Sequence, residues 1–283
     1  MHARQVDPTS DAPSPADPAA EGGELQVERR SAALWVRLNR PAAYNSLTPG
    51  IVAGLNRVLD RAAADSAVRA VVIGAQGKAF CAGADLKGAR EGFDGRSAEA
   101  ATMAFTEAVL ELTLRLERFA KPVVAAVNGL ALAGGFEIVL ACDLVIAAES
   151  ARFGDAHANY GLLPAGGSSA RLPRRIGPNR ARYLMFTGEF LPARTLEAWG
   201  LVNDVVPDDE LDSRVDALVD ALAAKSPLGL ARMKRLLVDA LEQPLETALR
   251  QEQLASHLHL RSHDRNEGLA AFAQKRAPRF TGS

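Results

Sequence analysis

The sequence of 283 residues has little cysteine, few aromatic residues and almost no net charge. Its two cysteines, Cys81 and Cys142, lie far apart and form no metal or redox motif, which fits a reduced, cytoplasmic setting. The net charge of -1 offers no electrostatic footprint to nucleic acid or to an anionic membrane. No apolar run reaches the roughly 18 residues of a membrane span. We therefore expect no nucleic acid, membrane or metal ion among the binding partners.

The N-terminal stretch lacks the apolar core of a signal peptide. Its content of Pro, Ala, Asp and Ser predicts a disordered tail over residues 1–23. The hydrophobic fraction of 48% supplies enough apolar material for one large domain or a domain with an appendage.

Short runs of β-forming residues alternate with helical patterns in the first two thirds of the chain. One helix is predicted to begin at Thr48 as N-cap, and a second to run from about Ser97 to Phe119. Strands that alternate with helices favour an α/β class with parallel pairing. The four β-type runs lie at residues 33–38, 69–75, 122–128 and 143–148.

After about Val206 the β signal disappears and successive amphipathic helical patterns follow. We therefore divide the chain into an α/β core over residues 24–206 and a helical region over residues 207–283. A helical region of this kind often packs on a neighbouring subunit.

Two glycine-containing stretches each follow a β-type run. They read KAFCAGADLKG, residues 78–88, and NGLALAGGFE, residues 128–137. Two backbone N–H groups that point to one position form an oxyanion hole, and a helix that begins near Gly134 would add its positive end. Glycine lets a ligand approach the backbone closely, although glycines between strand and helix are more often simple turns.

A single glutamate, Glu137, interrupts the apolar run LALAGGFEIVLACD, residues 130–143. Burial of an unpaired carboxylate is costly, so Glu137 either turns to water, pairs with a donor, or is held near a cleft for a purpose. Burial in an apolar environment would raise its pKa.

Five stretches, together with their order and spacing, resemble the crotonase family, the enoyl-CoA hydratase/isomerase superfamily. The resemblance runs from about Leu25 to Phe280. It implies a spiral of β-β-α turns, a C-terminal helical trimerisation region, a homotrimer or homohexamer, and an acyl-CoA substrate with no cofactor beyond the coenzyme A of that substrate. The stretches are NRPAAYNSL, KAFCAGADL, KPVVAAVNGLALAGGFEIVLACDLVIAAESARFG, LLPAGG and TGEFLPARTLEAWGLVNDVV.

The resemblance also implies roles for individual residues. The oxyanion-hole amides would be those of Ala84 and Gly134, and Glu137 matches the first of the two catalytic glutamates of the hydratases. His157 stands where the second glutamate falls, with Asp155 nearby as a second candidate. Histidine exchanges protons near neutral pH and can take this role, but a histidine that only lines the pocket is the alternative.

Other positions follow from the same resemblance. Ala133 replaces the first of three glycines that usually precede the first catalytic glutamate, which is a mild departure. Ser168 and Ser169 are predicted to cap a helix. Solvated surface positions are the alternative for the charged residues among the predicted contacts to substrate and coenzyme A. These contacts are Arg40, Ala82, Asp85, Leu86, Lys87, Gly135, Phe272 and Lys275.

The sequence thus predicts an enzyme that transforms acyl-CoA, with an enoyl-CoA hydratase as the leading hypothesis. An enoyl-CoA isomerase, a hydrolase or decarboxylase of the same family, and a non-catalytic acyl-CoA-binding protein remain alternatives, because His157 replaces the second glutamate. The acyl chain and the pathway stay open.

Overall fold

A computed structural model describes residues 23–85, 87–88 and 97–283. Leu86 and, apart from Gly23, the tail predicted for residues 1–23 lie outside the described residues. Within the described ranges, no helix combines the length and the apolar character that a membrane crossing needs.

The strands form two sheets. The strands are β1 (Leu25–Arg30), β2 (Ala33–Leu38), β3 (Ala70–Ala75), β4 (Ala79–Cys81), β5 (Val123–Val127), β6 (Leu130–Leu132), β7 (Leu144–Ala148), β8 (Arg152–Gly154), β9 (Leu191–Pro192) and β10 (Asp204–Val206). The larger sheet has the order β1-β2-β3-β5-β7-β10, and the smaller sheet has the order β4-β6-β8-β9.

Each turn of the chain places one strand in each sheet. β3, β5 and β7 lie in the larger sheet, and the strands that follow them, β4, β6 and β8, lie in the smaller one. In the larger sheet the neighbours from β2 to β10 pair parallel, and the edge strand β1 pairs antiparallel with β2. In the smaller sheet β4, β6 and β8 pair parallel, and the edge strand β9 pairs antiparallel with β8. The α/β class and the spiral of β-β-α turns are therefore confirmed.

Helices follow the paired strands and cover both sheets. They are α1 (Pro49–Ala64), α2 (Ala98–Arg118), α3 (Gly134–Ala141), α4 (Ser168–Ile176), α5 (Pro178–Thr187), α6 (Ala193–Ala198), α7 (Leu211–Ala223), α8 (Pro227–Ala240), α9 (Leu245–His259) and α10 (His263–Ala273). The predicted N-cap Thr48 is confirmed, because its Oγ1 accepts from the Ile51 N–H at 3.1 Å, and Ser97 also caps its helix, since its Oγ accepts from the Ala100 N–H at 3.3 Å.

Alternate residues of the central strands face opposite sides of the larger sheet. Val36 and Ile73 belong to the main core, which also contains the inner faces of α1, α2 and α3. Trp35 and Val72 point to the other side, where α7 contributes Val215 and its neighbours. Both faces of the sheet are thus covered, as parallel strands require.

The parallel pairing of β4 with β6 brings two loops together. Residues 82–85 leave β4, and residues 133–135 leave β6 and begin α3. A β-bridge between Leu47 and Ala84 ties the first loop to the segment before α1. Since parallel strands end at the same edge, the sheet itself places the backbone amides of these loops side by side.

The C-terminal helices confirm the loss of β structure after Val206. In the described chain α9 has no buried residue, although it carries four leucines. The division at residue 206 stays a prediction, and α7 packs on the larger sheet as part of its outer core.

Candidate active site

Glu137 lies in the first turn of α3 and is 2% exposed. Its Oε1 accepts hydrogen bonds from the backbone N–H groups of Gly166 at 2.8 Å and Ser168 at 3.1 Å. Burial raises the pKa of this carboxyl above its usual value, although these two donors and the charge of His157 favour the ionised form. Glu137 is therefore buried, partnered and still prone to take up a proton.

His157 begins a 3-10 turn, His157–Tyr160, just after β8. Its Nδ1 lies 3.1 Å from Oδ2 of Asp155, which is 1% exposed, so Nδ1 carries the hydrogen and donates it to the carboxylate. Burial opposes protonation of His157, but the hydrogen bond and charge of Asp155 and the charge of Glu137 outweigh it and raise the pKa of the imidazole. No described residue bonds to Nε2, which leaves that nitrogen for proton exchange.

The amides of Ala84 and Gly134 lie close together. A Cβ atom built on Gly134 would be 3.8 Å from the Ala84 nitrogen, and one built on Gly83 would be 3.5 Å from the Gly134 nitrogen. Neither amide donates to a backbone acceptor within the described part of the chain. The two loops are therefore close enough for both amides to contact one ligand atom, and their role as an oxyanion hole stays a prediction.

Ala133 lies in the turn between β6 and α3, directly before Gly134. As N-cap of α3 it has φ 46° and ψ -121°, a conformation that a residue with a Cβ rarely adopts. Gly135 follows in close contact with β4, since a Cβ there would lie 2.3 Å from the carbonyl oxygen of Cys81. The first position is strained, and the second requires glycine for close packing.

Several predicted coenzyme A contacts lie next to the first loop. Arg40 Nη2 is 2.9 Å from Asp85 Oδ2, so these two side chains pair with each other. Ala82 donates its N–H to the Tyr44 carbonyl at 3.0 Å, and Lys87 is exposed. Arg40 Nε also lies 3.2 Å from Glu24 Oε1, so the charged edge combines an arginine paired with two carboxylates and a lysine that faces solvent.

Phe272 and Lys275 lie at the end of α10, and Phe272 is exposed. The described chain places neither of them in hydrogen-bonding contact with Glu137 or His157. Among the residues that the structure describes, no cluster of three His, Cys, Asp or Glu side chains could hold a metal ion.

The turn at residues 166–168 was missed as a site element. The predicted cap by the side chains of Ser168 and Ser169 is wrong, because Gly167 is the N-cap of α4 and no side chain caps this helix. Instead the backbone N–H groups of Gly166 and Ser168 hold Glu137. The only signal was the Gly-Gly pair itself, since backbone donors leave no side-chain signature in a sequence.

Two buried polar atoms beside these residues have no hydrogen-bond partner among the described residues. They are Asp155 Oδ1 and Ser168 Oγ. Buried polar atoms are normally paired, so the site favours a ligand with polar groups.

Comparison with known proteins defines the class to which this fold and site belong. The family model described as Enoyl-CoA hydratase/isomerase matches residues 28–283. The chain belongs to the enoyl-CoA hydratase/isomerase family, the crotonase family.

Individual relatives cover almost all of the described chain. It is 39% identical over 259 residues to the 2,3-dehydroadipyl-CoA hydratase of Escherichia coli K12, which covers 92% of this chain and 99% of that protein. The crystal structure of an enoyl-CoA hydratase from Bacillus anthracis is similar with a TM-score of 0.87 and 33% identity, over 92% of this chain and 100% of that one. An enoyl-CoA hydratase from Polaromonas has a TM-score of 0.87 at 32% identity, over 91% and 100% of the two chains.

Proposed function

We propose that this protein is an enoyl-CoA hydratase, which adds water across the double bond of an α,β-unsaturated acyl-CoA. The observation that carries the proposal is the buried carboxylate of Glu137, coupled electrostatically to His157 with its Asp155 partner. Two groups able to exchange protons near neutral pH are what the addition of water requires.

The amides of Ala84 and Gly134 would receive the thioester oxygen. Negative charge develops on that oxygen when a nucleophile attacks the β-carbon, and one preorganised N–H donor is typically worth about 3 kcal/mol. The positive end of α3 acts in the same direction, because Gly134 is its first residue.

The proton steps balance with the two side chains. Water attacks the β-carbon and passes a proton to Glu137, while the electron pair of the double bond moves into the thioester. Protonated His157 gives the proton on Nε2 to the α-carbon, and the enolate returns to a thioester. Transfer of a proton from Glu137 to His157 then restores both residues for the next molecule.

Coenzyme A would lie along the first loop, beside Ala82, Asp85 and Lys87. Exposed Lys87 could meet a phosphate as a point charge. Arg40 would act chiefly by holding Asp85, to which it is already bonded.

Double-bond isomerisation is a second candidate. Isomerisation moves a proton between two carbons and needs no attacking water, so the carboxyl group of Glu137 could carry it even if His157 only lines the pocket.

An assay across crotonyl-CoA, longer 2-enoyl-CoAs, 2,3-dehydroadipyl-CoA and 3-enoyl-CoAs tests the proposal. We expect hydration of at least one 2-enoyl-CoA and a loss of about 10²–10⁴-fold in Glu137→Gln, the usual contribution of a positioned acid or base. Exposed Glu107 on α2 supplies the matched control, since Glu107→Gln should leave the rate unchanged. Turnover of 3-enoyl-CoAs alone would favour the isomerase, and binding without turnover would favour a non-catalytic acyl-CoA-binding protein.

We further infer that the chain self-associates through its C-terminal helices. Helix α9 buries no residue within the described chain, and its four leucines are each more than half exposed. Helical spacing puts Leu245 and Leu249 on one face of α9 and Leu254 and Leu258 on the opposite face, and exposed apolar side chains grouped in this way favour burial against another surface. A homotrimer or homohexamer would provide that surface, and could bring Phe272 and Lys275 towards a neighbouring site.

A further inference from the structure

Arg171 lies on α4, behind the turn that holds Glu137, and is 9% exposed. Its Nη1 donates to the Gly166 carbonyl at 2.8 Å. Its Nε and Nη2 lie 3.3 and 3.0 Å from the two carboxylate oxygens of Glu117 on α2, which makes the ion pair bidentate. Arg171 thus ties α2 to the 166–168 turn.

The same turn supplies both donors to Glu137. Gly166 donates its N–H to Oε1 at 2.8 Å and offers its carbonyl to Arg171, while Ser168 donates the second N–H at 3.1 Å. A continuous series of contacts therefore runs from Glu117 through Arg171 and the turn to Glu137.

Gly167 shows how closely the guanidinium packs on this turn. It has φ 114°, and a Cβ there would lie 2.0 Å from Arg171 Nη1. A Cβ on neighbouring Gly166 would lie 2.8 Å from Glu137 Oε2. One glycine thus makes room for Arg171 and the other for Glu137, so the turn is fitted to both side chains.

We propose that Arg171, fixed by Glu117, is a positioning residue that holds the 166–168 turn so that its two N–H groups keep Glu137 in place. Without Arg171 the Gly166 carbonyl loses its buried donor and the turn is free to move away from the carboxylate. The catalytic meaning of this inference rests on the proposed function, but the contacts exist whatever the reaction is.

Turnover gives the first test. In Arg171→Gln we expect kcat to fall by about 10- to 100-fold, the usual effect of a displaced catalytic group, with KM for the acyl-CoA nearly unchanged. Arg171→Lys should retain more activity than Arg171→Gln, because lysine can reach Gly166 or Glu117 but cannot form the fork between them. Glu117→Gln should lower kcat in the same direction.

Arg174 provides the matched control. It lies on the same helix, is exposed, and among the described residues donates only to the Ala170 carbonyl at 2.7 Å. Arg174→Gln should leave kcat and KM unchanged. A rise in KM with kcat unchanged in Arg171→Gln, or an equal loss of kcat in Arg174→Gln, would overturn the inference.

A second readout does not depend on turnover. Glutamate labelled with ¹³C at its carboxyl allows Glu137 to be titrated by infrared spectroscopy, with Glu137→Gln as the subtraction. Because the two N–H donors favour the ionised form, their loss in Arg171→Gln or Glu117→Gln should move the titration of Glu137 to higher pH.

The two readouts separate the possible failures. A lower melting temperature with an unmoved titration and an unmoved kcat would mean that Arg171 is only a structural ion pair, and the inference would be wrong. If the parent protein turned over no acyl-CoA, the proposed function would fail, while the titration would still decide whether Arg171 positions Glu137. If Arg171→Gln did not fold, the lysine and Glu117→Gln variants would carry the same test.

Discussion

Asp155 determines which nitrogen of His157 is available for chemistry. By accepting the hydrogen on Nδ1, its carboxylate orients the ring and leaves the second nitrogen, Nε2, without a hydrogen-bond partner among the described residues. The carboxylate of Asp155 also stabilises the protonated, positively charged form of the His157 ring. Its burial, at 1% exposure, makes this effect stronger than a surface pair would be.

The pH dependence of the rate should report this arrangement. Rate should rise as Glu137 ionises above its raised pKa and fall as His157 loses its proton above the usual histidine value of about 6.5. In Asp155→Asn the pKa of His157 loses its main support, so the alkaline limb of kcat should move to lower pH. Exposed Asp209 serves as control, because Asp209→Asn should leave both limbs in place. An alkaline limb that is unmoved in Asp155→Asn would remove His157 from the proton steps.

The contact between His157 and Asp155 should also make the free energy of unfolding depend on pH. The folded-state pKa of His157 is raised, so the contact with Asp155 contributes fully below pH of about 6.5 and is lost as the pH rises through the folded value.

Single residues differ in how far their positions and contacts could be predicted from the sequence. Glu137 is a lone carboxylate in an apolar run, so the sequence singled it out, although it left open whether the side chain turns to water or is buried. The contacts of Arg171 and Gly166 could not be predicted, because an arginine near a proline is a common pattern and every residue except proline carries a backbone N–H. The contact between His157 Nδ1 and Asp155 became visible only in the structure, and the catalytic role of His157 stays a prediction.

At the scale of an element, α3 begins under strain. Its N-cap, Ala133, has φ 46° and ψ -121°, and such conformations cost roughly 1–3 kcal/mol in residues other than glycine. The strained turn brings the Gly134 amide towards that of Ala84, so local strain and the amide pair lie at the same place.

Replacement of Ala133 by glycine should therefore stabilise the fold. The strain relieved exceeds the roughly 0.5–1 kcal/mol of extra backbone entropy that glycine loses on folding, which leaves a gain of about 1 kcal/mol in the free energy of unfolding. Chemical denaturation at fixed protein concentration measures it. Ala131→Gly in β6, where the backbone is ordinary strand, should instead destabilise the protein. Equal losses in both variants would show that Ala133 is not strained.

Elements were predictable where burial was complete. The runs at 33–38 and 122–128 matched β2 and β5 within one residue, because β5 is apolar on both faces and β2 is apolar except for Arg37. β1 was missed, since the edge strand LQVERR carries polar side chains. β4, β6 and β8 have three residues each, too few for any periodicity to appear.

At the scale of the whole molecule, the C-terminal helices pose a different problem. Their amphipathic pattern predicted helices correctly, but a pattern does not say which surface covers an apolar face. Leu249 and Leu254 on α9 are more than half exposed in the single chain. Burial of these leucines in an assembly would make the stability of the molecule depend on protein concentration.

Self-association should depend on the exposed leucines of α9. Sedimentation should give the parent protein a mass of at least three times the 30.0 kDa chain, as a trimer or hexamer requires. Leu254→Glu places a charge on the face that Leu254 shares with Leu258, where desolvation on assembly would be costly, and should shift the protein to smaller species. Gln253→Glu adds the same charge one residue away and should leave the assembly intact. A parent protein that sediments as a monomer at micromolar concentration would contradict the oligomer, and an intact assembly in Leu254→Glu would place the contact on another face.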